Sequence, residues 1–215
     1  PLHSSAASDV YKRQVYNPTR VLTQDFLKEF NIKTTFYNPH DLNSLNKIIN
    51  KKTKLIFVEN PGSNSFEFQD LSKIISIAKK RKVLTAIDNT WATPYFFKPM
   101  KLGFDMSIVS ATKYYSGHSD VMGGSLAVNK KVFKHVEKTQ KIIGLRLGPD
   151  DAYLITRGLR TLDVRLDKHQ ENAKKVAAFL SKNKKVKLLY PYLKGSLNYK
   201  LWKKYYSGAS GLMGS

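Results

Sequence analysis

The sequence predicts an α/β fold with a mostly parallel sheet flanked by helices, and two observations support this class. Short continuous apolar runs, such as Leu55–Glu59 and Val83–Asp88, are typical of parallel strands that are buried on both faces. Segments with apolar residues at helical spacing lie between such runs, as in Asp70–Arg81, and they are typical of helices that pack on a sheet. The alternation of the two patterns indicates βαβ connections.

The individual elements follow from periodicity and end signals. Strands are indicated by short β-branched or apolar runs, and helices by one-sided apolar spacing, in places behind an acidic cap. In chain order, we predict a helix over Val21–Phe30, a strand over Lys33–Tyr37, a helix from Asp41 to Ile49, a strand over Leu55–Glu59, a helix over Asp70–Arg81, strands over Val83–Asp88, Ser107–Val109 and Gly124–Asn129, the last open to an antiparallel direction, and a helix over Lys131–Ile143.

The pattern changes after residue 143. Gly144–Pro149 interrupts it, and Asp150 or Asp151 can cap a long helical run whose weak point is Gly158. Val186–Tyr190 then indicates the start of a smaller α/β unit.

Three regions follow from these breaks. Residues 1–14 lack periodicity, and we interpret them as a non-native or disordered leader outside the fold. Residues 15–158 form the predicted large domain, which we expect to be truncated at its N-terminus. Residues 159–215 form the predicted start of a truncated C-terminal domain.

The composition excludes several classes of protein. The chain has 215 residues and no cysteine, which excludes disulfides and thiolate metal sites; we expect no metal. No apolar run approaches the roughly 20 residues of a membrane helix. No secretory signal is visible, so we expect a cytoplasmic protein that does not bind membranes.

The net charge of +21 at pH 7 has two interpretations. A basic protein can bind nucleic acid, or its lysines can simply cover a solvated surface. No RNP, zinc-finger or helix-turn-helix signature accompanies the lysines, so we expect no nucleic-acid partner. The charge can still attract anionic ligands such as a phosphate group.

The segment Ser107–Asp120 carries the strongest functional signal. Its apolar strand ends in Ser110-Ala111-Thr112-Lys113, and ligands of open α/β sheets bind at the carboxyl ends of strands. We expect Lys113 to be partly desolvated there, which favours a nucleophilic amine. Ser110 and Thr112 can bind phosphate oxygens; the alternative for both is ordinary turn chemistry.

Several motifs, in order along the chain, resemble those of the Cys/Met-metabolism family of pyridoxal-phosphate enzymes. Within this family, they are most similar to the motifs of the bacterial cystathionine β-lyase branch. The resemblance runs from about Val15 to Gly214. The motifs are Glu59-Asn60-Pro61-Gly62-Ser63, Asp88-Asn89-Thr90-Trp91, Ser110-Ala111-Thr112-Lys113-Tyr114, Gly117-His118-Ser119-Asp120 and Arg157-Gly158-Leu159-Arg160-Thr161-Leu162. The resemblance implies a fold-type I, transferase-like architecture with pyridoxal 5'-phosphate as the cofactor.

The resemblance also assigns roles to five residues. Lys113 is the expected Schiff-base lysine, which moves the substrate's α-proton. Asp88 pairs with the pyridine nitrogen, and Tyr16 stacks on the ring and assists proton transfer. Ser110 and Thr112 hold the phosphate. The alternatives are a surface lysine, a helix cap or turn former at Asp88, and a core tyrosine at Tyr16.

Other residues are expected to support the site. His118 has a conformational or indirect role rather than that of a general base. The remaining expectations are packing beside the lysine for Tyr114 and Tyr115, a structural or interfacial role for Arg157 and Arg160, and tuning of the site by Glu59 and Asn60.

The implied reaction is β-elimination from L-cystathionine, giving homocysteine, pyruvate and ammonia in methionine biosynthesis. Pro61-Gly62-Ser63 and Trp91 resemble the β-lyase version. The alternative is a γ-acting relative, that is, cystathionine γ-synthase, cystathionine γ-lyase or methionine γ-lyase, and the remote alternative is a nucleic-acid-binding protein. The resemblance implies a homotetramer. We expect the fragment itself to be inactive, because the family's Gly-rich phosphate turn and carboxylate-binding arginine lie outside it.

Overall fold

The structure is a computed structural model that describes residues 8–12 and 15–215. The chain divides into two units, Pro1–Asp88 and Asn89–Ser215. These units do not coincide with the predicted domains, whose boundary at residues 158 and 159 stays a prediction.

The first unit is built on four parallel strands: β1 (Ser8–Lys12), β2 (Lys33–Tyr37), β3 (Thr53–Glu59) and β4 (Leu84–Asp88). β1 pairs with β2 on one side and β3 on the other, and β3 pairs with β4. Because these ladders are parallel, the carboxyl ends of β3 and β4 share one edge, where Glu59 is the register partner of Asp88.

Strand β1 corrects the prediction that residues 1–14 lie outside the fold. Its residues Ser8–Lys12 pair with two strands, and Ser8 and Val10 are buried. Five residues are too few to show periodicity, and the partners of a parallel strand are distant in sequence. The rest of this stretch, residues 1–7, 13 and 14, lies outside the described residues.

The helices of the first unit are α1 (Asn17–Val21), α2 (Leu27–Glu29), α3 (Leu42–Ile48) and α4 (Leu71–Arg81), with a π-helical turn over Leu22–Phe26 between the first two. The predicted cap at Asp41 is confirmed, and Asp70, predicted as the first residue of a helix, is the N-cap of α4. Asp41 accepts hydrogen bonds from the N–H groups of Asn43 and Ser44, and Asp70 accepts one from that of Lys73. The first helical stretch begins at Asn17 rather than Val21, because Pro18 suits a first helical turn.

Tyr37, in β2, makes a buried side-chain hydrogen bond. Its hydroxyl donates to Oε1 of Gln69 at 2.6 Å, and burial raises the pKa of Tyr37. The backbone N–H of Gln69 donates to Oδ1 of Asn60 at 2.8 Å, so the hydroxyl lies within a buried polar network.

Tyr37→Phe is therefore expected to lower the free energy of unfolding by about 1–3 kcal/mol, because the buried Oε1 of Gln69 loses this donor. Urea unfolding measures the change. Tyr153→Phe is the matched control, because Tyr153 is 68% exposed and surface substitutions stay within about 0.5 kcal/mol. Equal stability of the two variants would contradict the assigned bond.

The second unit contains an antiparallel pair of strands and six helices among its described residues. β5 (Met106–Ser110) pairs with β6 (Gly124–Val128), with Ser110 opposite Gly124, which confirms the antiparallel direction left open above. The helices are α5 (Thr93–Phe96), α6 (Pro99–Leu102), α7 (Lys130–Ile143), α8 (Pro149–Leu159), α9 (Leu162–Leu180) and α10 (Tyr199–Tyr205).

The predicted long helix is two helices, and the prediction of its weak point is wrong. The break lies at Thr161, whose backbone is not helical (φ −118°, ψ 12°), whereas Gly158 lies inside α8. The predicted cap at Asp150 or Asp151 is also wrong, because Gly148 is the N-cap of α8 and both aspartates lie in its first turn. Gly158 serves close packing instead, because a Cβ there would overlap the backbone carbonyl oxygens of Tyr115 and Ser116.

The C-terminal stretch forms little regular sheet. The predicted strand over Val186–Tyr190 is reduced to one antiparallel bridge, in which Leu189 and Gly214 exchange backbone hydrogen bonds of 2.8 and 3.2 Å. Among the residues that the structure describes, no helix is long and apolar enough to cross a membrane.

Candidate functional site

In the first unit, two carboxylates end neighbouring strands. Glu59 closes β3 and is buried, while Asp88 closes β4 and is half-buried. Oε2 of Glu59 accepts a 2.6 Å hydrogen bond from the backbone N–H of Tyr16, and its Oε1 accepts one from the hydroxyl of Ser63. The carboxylate of Glu59 therefore ties Tyr16 to the edge of the sheet at which Asp88 also ends.

Tyr16 is anchored through its backbone while its side chain is exposed. It is the N-cap residue of α1, and its side chain is 47% exposed. The alternative of a core tyrosine is therefore wrong. An exposed ring on an anchored backbone is able to stack on a flat ligand, so the predicted stacking role stays a prediction.

In the second unit, the end of β5 is fixed by the Asn89-Thr90 segment. The backbone N–H of Ser110 donates to Oγ1 of Thr90 at 2.8 Å, and that of Asn89 donates to the carbonyl of Ile108 at 2.8 Å. Both Asn89 and Thr90 are buried. These bonds set the point at which the chain leaves the strand and enters the turn that carries Lys113.

Lys113 lies in a π-helical turn, Ala111–Tyr115, directly after β5. Its backbone departs from helical values (φ −97°, ψ −109°), and its carbonyl accepts a 2.8 Å hydrogen bond from the N–H of Gly117. The side chain is exposed, so the expected partial desolvation is wrong. Apolar strand residues precede Lys113 in sequence, but they pack into the unit and do not cover the turn that follows.

The hydroxyl of Thr112 is engaged by the backbone. It accepts a hydrogen bond from the N–H of Gly123 at 3.0 Å and donates to the carbonyl of Gly123 at 3.3 Å. This is the turn chemistry that the sequence left open as the alternative. Because the hydroxyl proton of Thr112 is donated to Gly123, Thr112 is less able than Ser110 to donate to a phosphate oxygen. Ser110 is half-buried at the end of the strand.

The two tyrosines after Lys113 pack into the second unit, and their predicted packing beside the lysine stays a prediction. The ring of Tyr114 lies 5.6 Å from that of His169, and burial raises the pKa of Tyr114 although its hydroxyl is hydrogen-bonded to Ser210 and Gly211. Tyr115 packs against the buried cluster of Ala111, Val121 and Ile155. Packing on both sides holds the turn in place.

The remaining predicted residues make local contacts. A ring nitrogen of His118, Nδ1, lies 2.6 Å from the carbonyl oxygen of Ser116. Arg157 forms an exposed ion pair with Asp120 at 3.5 Å, and Arg160 is the C-cap residue of α8. These contacts agree with structural roles.

Sequence reasoning missed Arg165, on α9. Its guanidinium donates through Nη2 to the carbonyl of Gly158 at 2.7 Å and through Nε to Oγ1 of Thr161 at 3.0 Å, and burial lowers its pKa. The one sequence signal for this role is that Thr161 and Arg165 lie one helical turn apart. Exposed arginines often have the same spacing from a threonine, so the spacing does not predict a buried guanidinium.

The sequence was compared with known families and proteins. A family model described as "Cys/Met metabolism PLP-dependent enzyme" matches residues 2–215. The L-alanine/L-glutamate racemase of Wolbachia pipientis wMel is 39% identical over 197 residues, 91% of this chain and 48% of its own length. The cystathionine beta-lyase of Salmonella typhimurium is 35% identical over 200 residues, 92% of this chain and 51% of its own length. The chain thus spans about half the length of these curated relatives.

Solved structures of similar enzymes have the same fold as this chain. The crystal structure of cystathionine gamma-lyase from Lactobacillus plantarum, complexed with L-serine, superposes with a TM-score of 0.93 at 30% identity, covering 99% of this chain and 56% of that one. A structure from Campylobacter jejuni that contains pyridoxyl-lysine phosphate has a TM-score of 0.92 at 32% identity, covering 97% of this chain and 60% of that one. The mostly parallel sheet flanked by helices, of the fold-type I class, is thereby confirmed.

Proposed function

Because the chain belongs to the Cys/Met metabolism PLP-dependent enzyme family, we propose that the protein is a carbon–sulfur lyase that cleaves L-cystathionine by β-elimination. The observation that carries the proposal is the position of Lys113. Its amine is exposed on a backbone-held turn at the carboxyl end of β5, where α/β enzymes bind their ligands.

The residues present fit pyridoxal phosphate by their chemistry. The cofactor has an aldehyde, a phosphate ester, a pyridine nitrogen and a flat ring. The chain offers a primary amine at Lys113, a hydroxyl at the strand end in Ser110, a carboxylate that ends β4 in Asp88, and an exposed phenol ring at Tyr16. Each group of the cofactor thus has a complementary residue.

Each of these residues then has one task in the proposed reaction. Pyridoxal phosphate, when bound, stabilises negative charge at the substrate's α-carbon. Asp88 keeps the proton on the pyridine nitrogen, and Ser110 holds the phosphate. Tyr16 covers one face of the ring. The amine of Lys113 takes the proton from the α-carbon and returns a proton later.

Sequence motifs support β- rather than γ-elimination. Relatives of both kinds occur among the similar proteins, including the L-methionine gamma-lyase of Fusobacterium nucleatum. Pro61-Gly62-Ser63 and Trp91 follow the β-lyase version of the family motifs. Membership of the family also supports a cytoplasmic homotetramer that acts in methionine biosynthesis.

Product analysis tests the proposal on the protein as its natural source produces it. We expect L-cystathionine and water to give homocysteine, pyruvate and ammonia in equal amounts. Cysteine with 2-oxobutyrate would show γ-elimination instead. Because one relative is a racemase, L-alanine is tested in parallel; formation of D-alanine without any pyruvate from L-cystathionine would overturn the lyase assignment.

A further inference from the structure

The backbone that follows Lys113 is held by hydrogen bonds from Ser116 and Gly117. The N–H of Gly117 donates to the carbonyl of Lys113 at 2.8 Å, and the hydroxyl of Ser116 donates to the carbonyls of Thr112 at 3.1 Å and Lys113 at 3.4 Å. Gly117 has a left-handed conformation (φ +75°), which glycine adopts without steric cost. Of the two donors to the Lys113 carbonyl, the N–H of Gly117 makes the shorter bond, so the direction of that carbonyl depends chiefly on where Gly117 lies.

The guanidinium of Arg165 packs against one side of Gly117, a residue that is otherwise exposed. A Cβ on Gly117 would overlap Nη1 and Cζ of the guanidinium, so the planar group lies directly against this glycine. Nη1 is buried and has no hydrogen-bond partner among the described residues, and such buried donors are uncommon and call for an explanation. The guanidinium is kept there by Nη2 and Nε, which bind Gly158 and Thr161.

The same arginine connects the turn with α8. Its acceptor Gly158 is the residue on which the carbonyls of Tyr115 and Ser116 pack, since a Cβ at that position would overlap both oxygens. Gly158 thus packs against Tyr115 and Ser116, and the guanidinium packs against the next residue, Gly117, so the two groups hold consecutive residues of one turn. A flexible or neutral side chain at residue 165 would not supply this planar, multiply bonded support.

We propose that Arg165 is a positioning residue for Lys113: its guanidinium, hydrogen-bonded to Gly158 and Thr161, packs against Gly117, whose N–H donates to the carbonyl of Lys113. The inference rests on the proposed function, in which the amine of Lys113 carries pyridoxal phosphate. Arg165 acts through Gly117 and touches no reacting atom.

The test measures how fast the apoprotein links pyridoxal phosphate to Lys113, by borohydride trapping and mass spectrometry of the peptide. Arg165→Met keeps the length of the side chain and removes the guanidinium, and we expect the linkage rate to fall about tenfold because misplacement of a reacting group lowers its rate. Arg160→Met is the control on the same pair of helices, and we expect it to change the rate less than about twofold.

A second measurement does not involve the cofactor. Hydrogen exchange at the Gly117 amide is expected to be about tenfold faster in Arg165→Met than in wild type or Arg160→Met, because Gly117 loses the group that packs against it and its hydrogen bond to the carbonyl of Lys113 opens more often. Arg165→Lys, which preserves the charge, is the second variant if methionine prevents folding. Its ammonium lacks the planar guanidinium that lies against Gly117, so both changes should persist.

The outcomes separate the two hypotheses. A lower free energy of unfolding, with a wild-type linkage rate and wild-type exchange at Gly117, would show a purely structural arginine and overturn the inference. If the wild-type protein forms no linkage at Lys113, the proposed function fails, and the exchange comparison alone decides whether Arg165 holds the turn.

Discussion

In the protein as its natural source produces it, Lys113→Ala is expected to abolish pyruvate production from L-cystathionine, with a loss of at least about 10³-fold. The variant lacks both the amine that holds the cofactor and the group that moves the α-proton, and positioned proton transfer alone contributes about 10²–10⁴-fold. Pyruvate release and the absorbance of the protein-linked cofactor measure the effect. Because Lys113 is exposed and its side chain is not part of the buried core, the variant should retain its fold.

Lys134→Ala is the matched control, an exposed lysine on α7 in the same unit. We expect it to keep wild-type activity and cofactor absorbance, although it lowers the net charge equally. Substantial pyruvate production by Lys113→Ala would contradict the assignment of this lysine. Loss of activity in both variants would indicate that charge, rather than the identity of one amine, controls the reaction.

Gly158→Ala is expected to lower the free energy of unfolding by about 3 kcal/mol, the upper end of the range for overpacking. The new Cβ would overlap two backbone carbonyl oxygens, those of Tyr115 and Ser116. Backbone atoms cannot rotate away as a side chain can, so α8 and the Lys113 turn must separate. Urea unfolding measures the loss, and the same displacement should lower the lyase activity of the folded variant.

Gly124→Ala is the control for this substitution, because nothing lies within 4 Å of the position of its Cβ and its φ is not positive. Its stability should stay within about 0.5 kcal/mol of wild type. If Gly158→Ala were as stable as Gly124→Ala, the close contact of α8 with the turn would be wrong.

Features marked by their own neighbours in sequence were predictable. Asp41 caps a helix, as predicted, because a short acidic side chain reaches the N–H groups two or three residues ahead. β2 matches its predicted bounds, and β3 and β4 lie within two residues of theirs. The order of the motifs around Lys113 pointed to the family, which the family match then showed.

Features that depend on distant partners were not predictable. The strand Ser8–Lys12 carries no local signal, since its hydrogen bonds go to residues 33–37 and 53–57. Gly158 resembles a helix break in sequence, but the carbonyls it meets belong to residues 115 and 116. The importance of Arg165 depends on Gly117, which is far from it in the chain.

The sequence by itself determined the class of fold, most helix and strand positions and the lysine proposed to carry the chemistry, because caps, periodicity and motifs are local properties. Only the tertiary structure decided that Lys113 is exposed, that Thr112 uses its hydroxyl within a turn and that Arg165 packs against Gly117. The physical reason is that burial and hydrogen-bond partners depend on which distant segments meet, and no window of neighbouring residues contains that information.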